Sequence, residues 1–148
     1  MFDLTGKRAL VTGASGGIGS EIARALYANG ASVALSGTRG DALEALKSSL
    51  GDRAAVVPAN LGDADAAADL VKRAEEALGP LDILVNNAGL TRDNLAMRMK
   101  DEDWQTVLDV NLTAAFRLSR AVLRGMMKRR WGRIIGVTSI VGVTGNAG

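Results

Sequence analysis

The chain has 148 residues, 47% of them hydrophobic and 23% charged, with 18 Gly, 2 Pro, no Cys and no His. That length predicts one domain with a real core, and the apolar content excludes a disordered polymer. Without Cys or His there is no disulfide framework, no usual zinc site and no His-based acid–base chemistry, and a formal net charge of +2 is too small to mark a nucleic-acid binder.

In chain order, short apolar runs alternate with helical stripes. Arg8–Thr12 is the first candidate strand, followed by a Gly-rich loop and the stripe Ile18, Ile22, Ala25, Leu26. Ser32–Ser36 is the second strand and Leu43, Leu46, Leu50 the second stripe. After the third strand, Ala54–Val57, come an acidic helix start at Asp63 and Asp65, the stripe Ala67, Leu70, Val71, Ala74, Leu78, and a Gly79-Pro80 stop. Asp82–Asn86 is the fourth strand, a long helical region runs from Asp101 to about Arg130, and Arg133–Thr138 is the fifth strand. The strands are continuous apolar runs rather than alternating ones, which fits a parallel sheet covered on both faces and joined by right-handed βαβ units. The expected fold is therefore α/β, a Rossmann-type doubly wound parallel sheet. No run is long enough for a membrane span and the N-terminus lacks a basic-then-apolar signal pattern, so a soluble, cytoplasmic protein without membrane or metal is expected.

The loop after the first strand reads Thr12-Gly13-Ala14-Ser15-Gly16-Gly17-Ile18-Gly19. Gly13 lets the chain turn out of the strand, Gly17 removes a side chain where a pyrophosphate would approach the backbone, and Gly19 lets the helix sit close to the sheet. The helix start then offers N–H groups and a positive dipole end to phosphates. A ligand-free Gly-rich turn is the alternative. The second strand ends in Ser36-Gly37-Thr38-Arg39. An acid here would read a ribose 2′-OH and favour NAD; a hydroxyl and a guanidinium suit a 2′-phosphate instead, so NADP(H) is expected. Arg39 as an ordinary solvated helix-start residue is the other reading.

The Thr12–Gly19 loop, Asn86-Asn87-Ala88-Gly89, Asn111 within Asp109-Val110-Asn111-Leu112, and Ser139 after the fifth strand together resemble the short-chain dehydrogenase/reductase family, over the whole chain. Residues 90–104 and 126–133 resemble, more narrowly, the bacterial 3-oxoacyl-[acyl-carrier-protein] reductases. The resemblance implies strand order 3-2-1-4-5, a domain over residues 1–148, NADPH-dependent reduction of a 3-oxoacyl thioester carried by acyl carrier protein, and a homotetramer. It implies that Gly13, Ala14, Ser15, Gly16, Gly17, Ile18 and Gly19 contact the cofactor, with Thr38 and Arg39 at its 2′-phosphate. Asn60 and Leu61 would bracket the adenine, and Asn87, Ala88 and Gly89 would line the ribose. Asn111 would hold a water in the proton relay and Ser139 would hydrogen-bond the substrate carbonyl.

Two departures stand out. Related reductases often carry Arg where this chain has Gly16, which shifts the 2′-phosphate role toward Thr38 and Arg39. The family's catalytic Tyr-x-x-x-Lys pair lies beyond the Ser and does not occur in the 148 residues, whose single Tyr, Tyr27, falls in the first helix. Protonating an alkoxide at neutral pH needs such a donor, with a cation to lower the Tyr pKa. The chain is thus expected to be an N-terminal part of a longer reductase, truncated before the later strands, binding cofactor with little or no turnover. An apolar edge strand at Ile134–Val137 would then make it prone to association.

Several residues carry a plainer reading beside the functional one. Trp104, Val107, Leu108 and Asn111 share one helix face, which predicts a buried Asn111 amide that only ties backbone groups together or one with a catalytic part. Ser139 alone reads as a strand-end turn residue. Arg124, Lys128, Arg129, Arg130 and Arg133 are cations at a helix C-terminus; the resemblance implies docking of the acidic carrier protein, with Arg129 and Arg130 foremost. Leu112 and Phe116 on one side of the next helix, with Leu118 and Val122 on the other, suggest burial against both the sheet and a partner subunit, or wholly within the chain.

Overall fold

The fold was obtained as a computed structural model that describes residues 2–145; the expected domain, 1–148, runs past these at both ends. Five parallel strands form one sheet in the order β3-β2-β1-β4-β5: β1 (Arg8–Val11), β2 (Ser32–Leu35), β3 (Ala54–Val56), β4 (Ile83–Asn86) and β5 (Arg133–Gly136). The helices are α1 (Gly17–Ala28), α2 (Gly40–Leu50), α3 (Ala66–Leu78), α4 (Asp101–Leu108), α5 (Ala114–Arg129) and the short α6 (Val141–Thr144). This is the expected doubly wound α/β fold. No described helix is long and apolar enough to cross a membrane.

Alternation along each strand sorts side chains into two cores, because successive Cβ atoms point to opposite faces. Leu10, Ala34 and Leu84 join α3 and α5 residues such as Leu70, Leu118 and Val122 on one face. Ala9, Val11, Val33, Leu35, Ile83 and Val85 pack with Ala23 of α1 and Leu43 and Leu46 of α2 on the other. Both faces are covered over β1, β2 and β4, which fits their apolar runs, whereas β5, an apolar run expected to be covered likewise, is exposed along its length because it lies at the edge of the sheet. Each strand is a residue or two shorter than its apolar run, though ladder bonds still reach Thr12, Ser36 and Val137. At the opposite edge of the sheet, buried Asp82 accepts the Arg8 backbone N–H at 3.0 Å and faces the Arg129 guanidinium at 3.7 Å.

The long helical region from Asp101 differs from its periodicity. A π turn over Asp109–Thr113 separates α4 from α5. The wider turn takes Asn111 out of phase with α4, and the face shared by Trp104, Val107 and Leu108 within α4 is itself not buried in this chain. Trp104 is 58% exposed and Asn111 is exposed. In α5, Ala114, Leu118, Val122 and Met126 are buried while Phe116, Leu123 and Met127, with Leu112 of the π turn, face outward. The two apolar sides are real, and within this chain only one is covered.

Candidate functional site

The carboxyl ends of β1 and β4 are tied together by one side chain. The Thr12 hydroxyl, buried at the end of β1, donates to the Val85 carbonyl at 3.1 Å and accepts the Asn87 and Ala88 N–H groups, each at 3.0 Å. The Asn87 amide returns a bond to the Thr12 carbonyl at 2.9 Å. These bonds satisfy backbone groups that leave the ladder where the strands diverge. Two glycines make the close approach possible. Gly13 has φ +65°, and a Cβ there would lie 2.9 Å from the Ala88 Cα; a Cβ on Gly19 would strike the Gly13 carbonyl and the Asn87 amide. Gly17, by contrast, has nothing within 4 Å of where a Cβ would be, and no side chain caps the first turn of α1. Backbone N–H groups at that helix start are therefore open to an anion.

Above this knot lies a cleft of about 450 Å³. It is lined by Gly13 and Ser15–Gly19 of the loop, by Thr38 and Arg39, by Asn60 and Leu61, and by Asn87–Gly89. Every residue expected at the cofactor lines it except Ala14, which is fully buried and donates its N–H to the Ser36 carbonyl at 2.8 Å. Ala14 anchors the loop rather than touching what the loop holds. Sequence reading missed Ser36, Gly37, Ala59, Leu90 and Val110, which also line the cleft. Four of these five adjoin a residue that was picked; Ser36, two residues before Thr38, adjoins none, and its only signal was its place at a strand end. Arg39 is the only ionisable residue among those lining the cleft, so it presents backbone donors and a cation with no carboxylate. That lining suits a polyphosphate.

The two expected catalytic residues stand apart from the cleft lining. The Asn111 side chain clamps Leu90, accepting its N–H and donating to its carbonyl, both at 2.9 Å. The amide ties backbone groups together, as the plainer reading held, but in an exposed position rather than on a buried apolar face. Asn111 thereby fixes the segment after Gly89 from inside the π turn, and its neighbour Val110 reaches the cleft. Ser139 is exposed, and its hydroxyl accepts the Val141 N–H at 3.4 Å, close to the start of α6. Of the two docking candidates, Arg129 remains exposed but its guanidinium is engaged on buried Asp82 and the Leu81 carbonyl. Arg130 is exposed, in the left-handed conformation that ends α5, at φ 54°. Among the described residues no cluster of carboxylates could hold a metal.

The short chain dehydrogenase family matches residues 7–148. Nodulation protein G of Rhizobium sp. strain N33 is 60% identical over 148 residues, all of this chain and 60% of that protein. The 3-oxoacyl-[acyl-carrier-protein] reductases FabG of Vibrio cholerae and Escherichia coli K12 are 51% and 48% identical, each over 99% of this chain and 60% of theirs. The crystal structure of a 3-oxoacyl (acyl-carrier-protein) reductase from Agrobacterium tumefaciens C58 with NADP bound superposes with a TM-score of 0.92 at 35% identity, covering 99% of this chain and 57% of that one. The chain thus spans about 60% of the length of the curated relatives it matches.

Proposed function

The chain belongs to the short chain dehydrogenase family, and on that premise we propose that it is the dinucleotide-binding part, residues 1–148, of an NADPH-dependent 3-oxoacyl-[acyl-carrier-protein] reductase of fatty-acid synthesis. The observation that carries this is the cleft. It gathers the Gly-rich loop, the Thr38-Arg39 pair and the Asn87–Gly89 segment around a carboxylate-free, donor-rich hollow. The open space at Gly17 and the uncapped start of α1 fit a pyrophosphate. Gly13–Gly19 would hold the phosphates and nearby ribose, Asn60 and Leu61 the adenine, Asn87–Gly89 the other ribose, and Thr38 with Arg39 the 2′-phosphate. When bound, the nicotinamide supplies a hydride for the 3-carbonyl of the thioester.

The chain's own residues do less of the chemistry. Ser139 would orient the carbonyl by donating its O–H, which stays free while its oxygen accepts the Val141 N–H. With its amide engaged on Leu90, Asn111 would serve the proton relay through its backbone and through the position it gives Leu90. Neither is a proton donor of suitable pKa, and the 148 residues contain no Tyr-x-x-x-Lys. Turnover therefore belongs to the whole protein, and this chain alone binds cofactor with little or no reduction. The whole protein acts in the cytoplasm as a homotetramer. The outward apolar side of α5 is the surface such an assembly would cover. Carrier-protein docking rests on Arg130 more than on Arg129, whose guanidinium is already engaged on Asp82 and the Leu81 carbonyl.

Titration of the chain with NADPH and NADH tests the cofactor reading: NADPH should bind more tightly, and equal or tighter NADH binding overturns it. Assays of the whole protein with acetoacetyl thioesters, sugars and steroids separate the acyl-carrier substrate from a different carbonyl substrate. No turnover on any of them, with tight cofactor binding, would instead indicate a non-catalytic dinucleotide-binding module.

A further inference from the structure

The cleft is open at its pyrophosphate end and bridged at its adenosine end. The Arg39 guanidinium, at the start of α2, reaches across to donate to the Ser15 carbonyl of the phosphate loop. Beneath it the two segments are in contact: a Cβ on Gly37 would lie 2.7 Å from the Ser15 hydroxyl. Among the described residues Arg39 forms no ion pair. Among the described residues its guanidinium makes one hydrogen bond, to a neutral carbonyl that belongs to the opposite wall. The closed corner is also incompletely satisfied. The Ser36 hydroxyl, one residue before Gly37, is buried there without a partner.

We propose that Arg39 is a latch that discriminates between dinucleotides by an exchange of partners, and this rests on the NADP(H) reading of the cleft. Any adenosine moiety entering the corner must break the Arg39–Ser15 bond. A ligand with a 2′-phosphate replaces the lost carbonyl by a dianion, a stronger, charge-assisted partner. A ligand with a 2′-hydroxyl offers no equivalent, so it bears the cost of opening without compensation. Specificity then comes from a barrier against NADH as well as from attraction to NADPH.

Because Arg39 is exposed, its substitution leaves both cores untouched. The test is fluorescence titration of the full 148-residue chain with NADPH and NADH, for wild type, Arg39→Ala and Arg39→Met; Met keeps the apolar stem without the guanidinium. In both variants NADPH affinity should fall about tenfold, with the loss of a charged contact, while NADH affinity rises about threefold, with the loss of one exposed hydrogen bond. NADH affinity unchanged or lower in both variants overturns the latch and leaves Arg39 as a simple phosphate ligand. A rise in Arg39→Ala alone overturns it too, because side-chain bulk rather than the bond is then the obstacle. Wild-type chain that binds neither dinucleotide overturns the cofactor reading and the latch with it.

Discussion

β1 and β5 are nearly the same kind of segment, Arg8-Ala9-Leu10-Val11 against Arg133-Ile134-Ile135-Gly136. In β1 the last three residues are wholly buried; in β5 Ile134 and Ile135 are 40% and 47% exposed. β1 lies between β2 and β4 with helices over both faces, while β5 has a partner on one edge only, β4. An apolar run therefore specifies a strand but not its cover. The same contrast divides the candidate site. The loop leaving β1 is held by Thr12, Asn87 and two tight glycine contacts, whereas Ser139, following β5, is exposed with one long hydrogen bond.

If this contrast is right, substitutions at the β1 end should be costly and those at β5 nearly silent. The largest effect is expected for Gly13→Ala. A Cβ at positive φ, 2.9 Å from the Ala88 Cα, conflicts with backbone that cannot move aside. A loss of about 3 kcal/mol in urea unfolding, together with loss of dinucleotide binding, is expected. Stability within error of wild type would break the comparison. Thr12→Ala comes next. It strips three hydrogen bonds from buried or half-buried backbone groups and should cost about 2 kcal/mol.

On the β5 side, Ile135→Lys places a charge on the exposed edge. Unfolding free energy should change by no more than about 0.5 kcal/mol, while light scattering shows less association than wild type. A wild-type chain that is a monodisperse monomer would refute the idea that this edge recruits other copies. The smallest effect is expected for Gly136→Ala, where nothing lies within 4 Å of the added methyl group. Its stability should stay within about 0.5 kcal/mol of wild type, in either direction.

Much of the site was legible because it is local. The loop Thr12–Gly19 announces itself by glycines between a strand and a helix, and the pair Thr38-Arg39 by its place after β2. Residues drawn in by neighbouring elements were not legible: Leu90 and Val110 reach the cleft only because the Asn111 amide pins one segment to the π turn that carries the other. Asn111 shows the limit of periodicity from the other direction. Its spacing from Trp104 assumed an unbroken helix, and the π turn that carries Asn111 shifts it out of register with the α4 residues. Arg129 looked like one cation among several in a basic run until Asp82, far away in sequence, gave it an internal partner.

Composition and the order of apolar runs and glycines determined the α/β class, five strands joined by crossover helices, which requires parallel pairing, and the location of the Gly-rich loop, since each is read from patterns local in the chain. Which strand is covered, which arginine pairs with buried Asp82, and that Arg39 meets the Ser15 carbonyl across the cleft were decided only by tertiary structure. These depend on where separate elements come to rest against one another, and no local pattern records that distance.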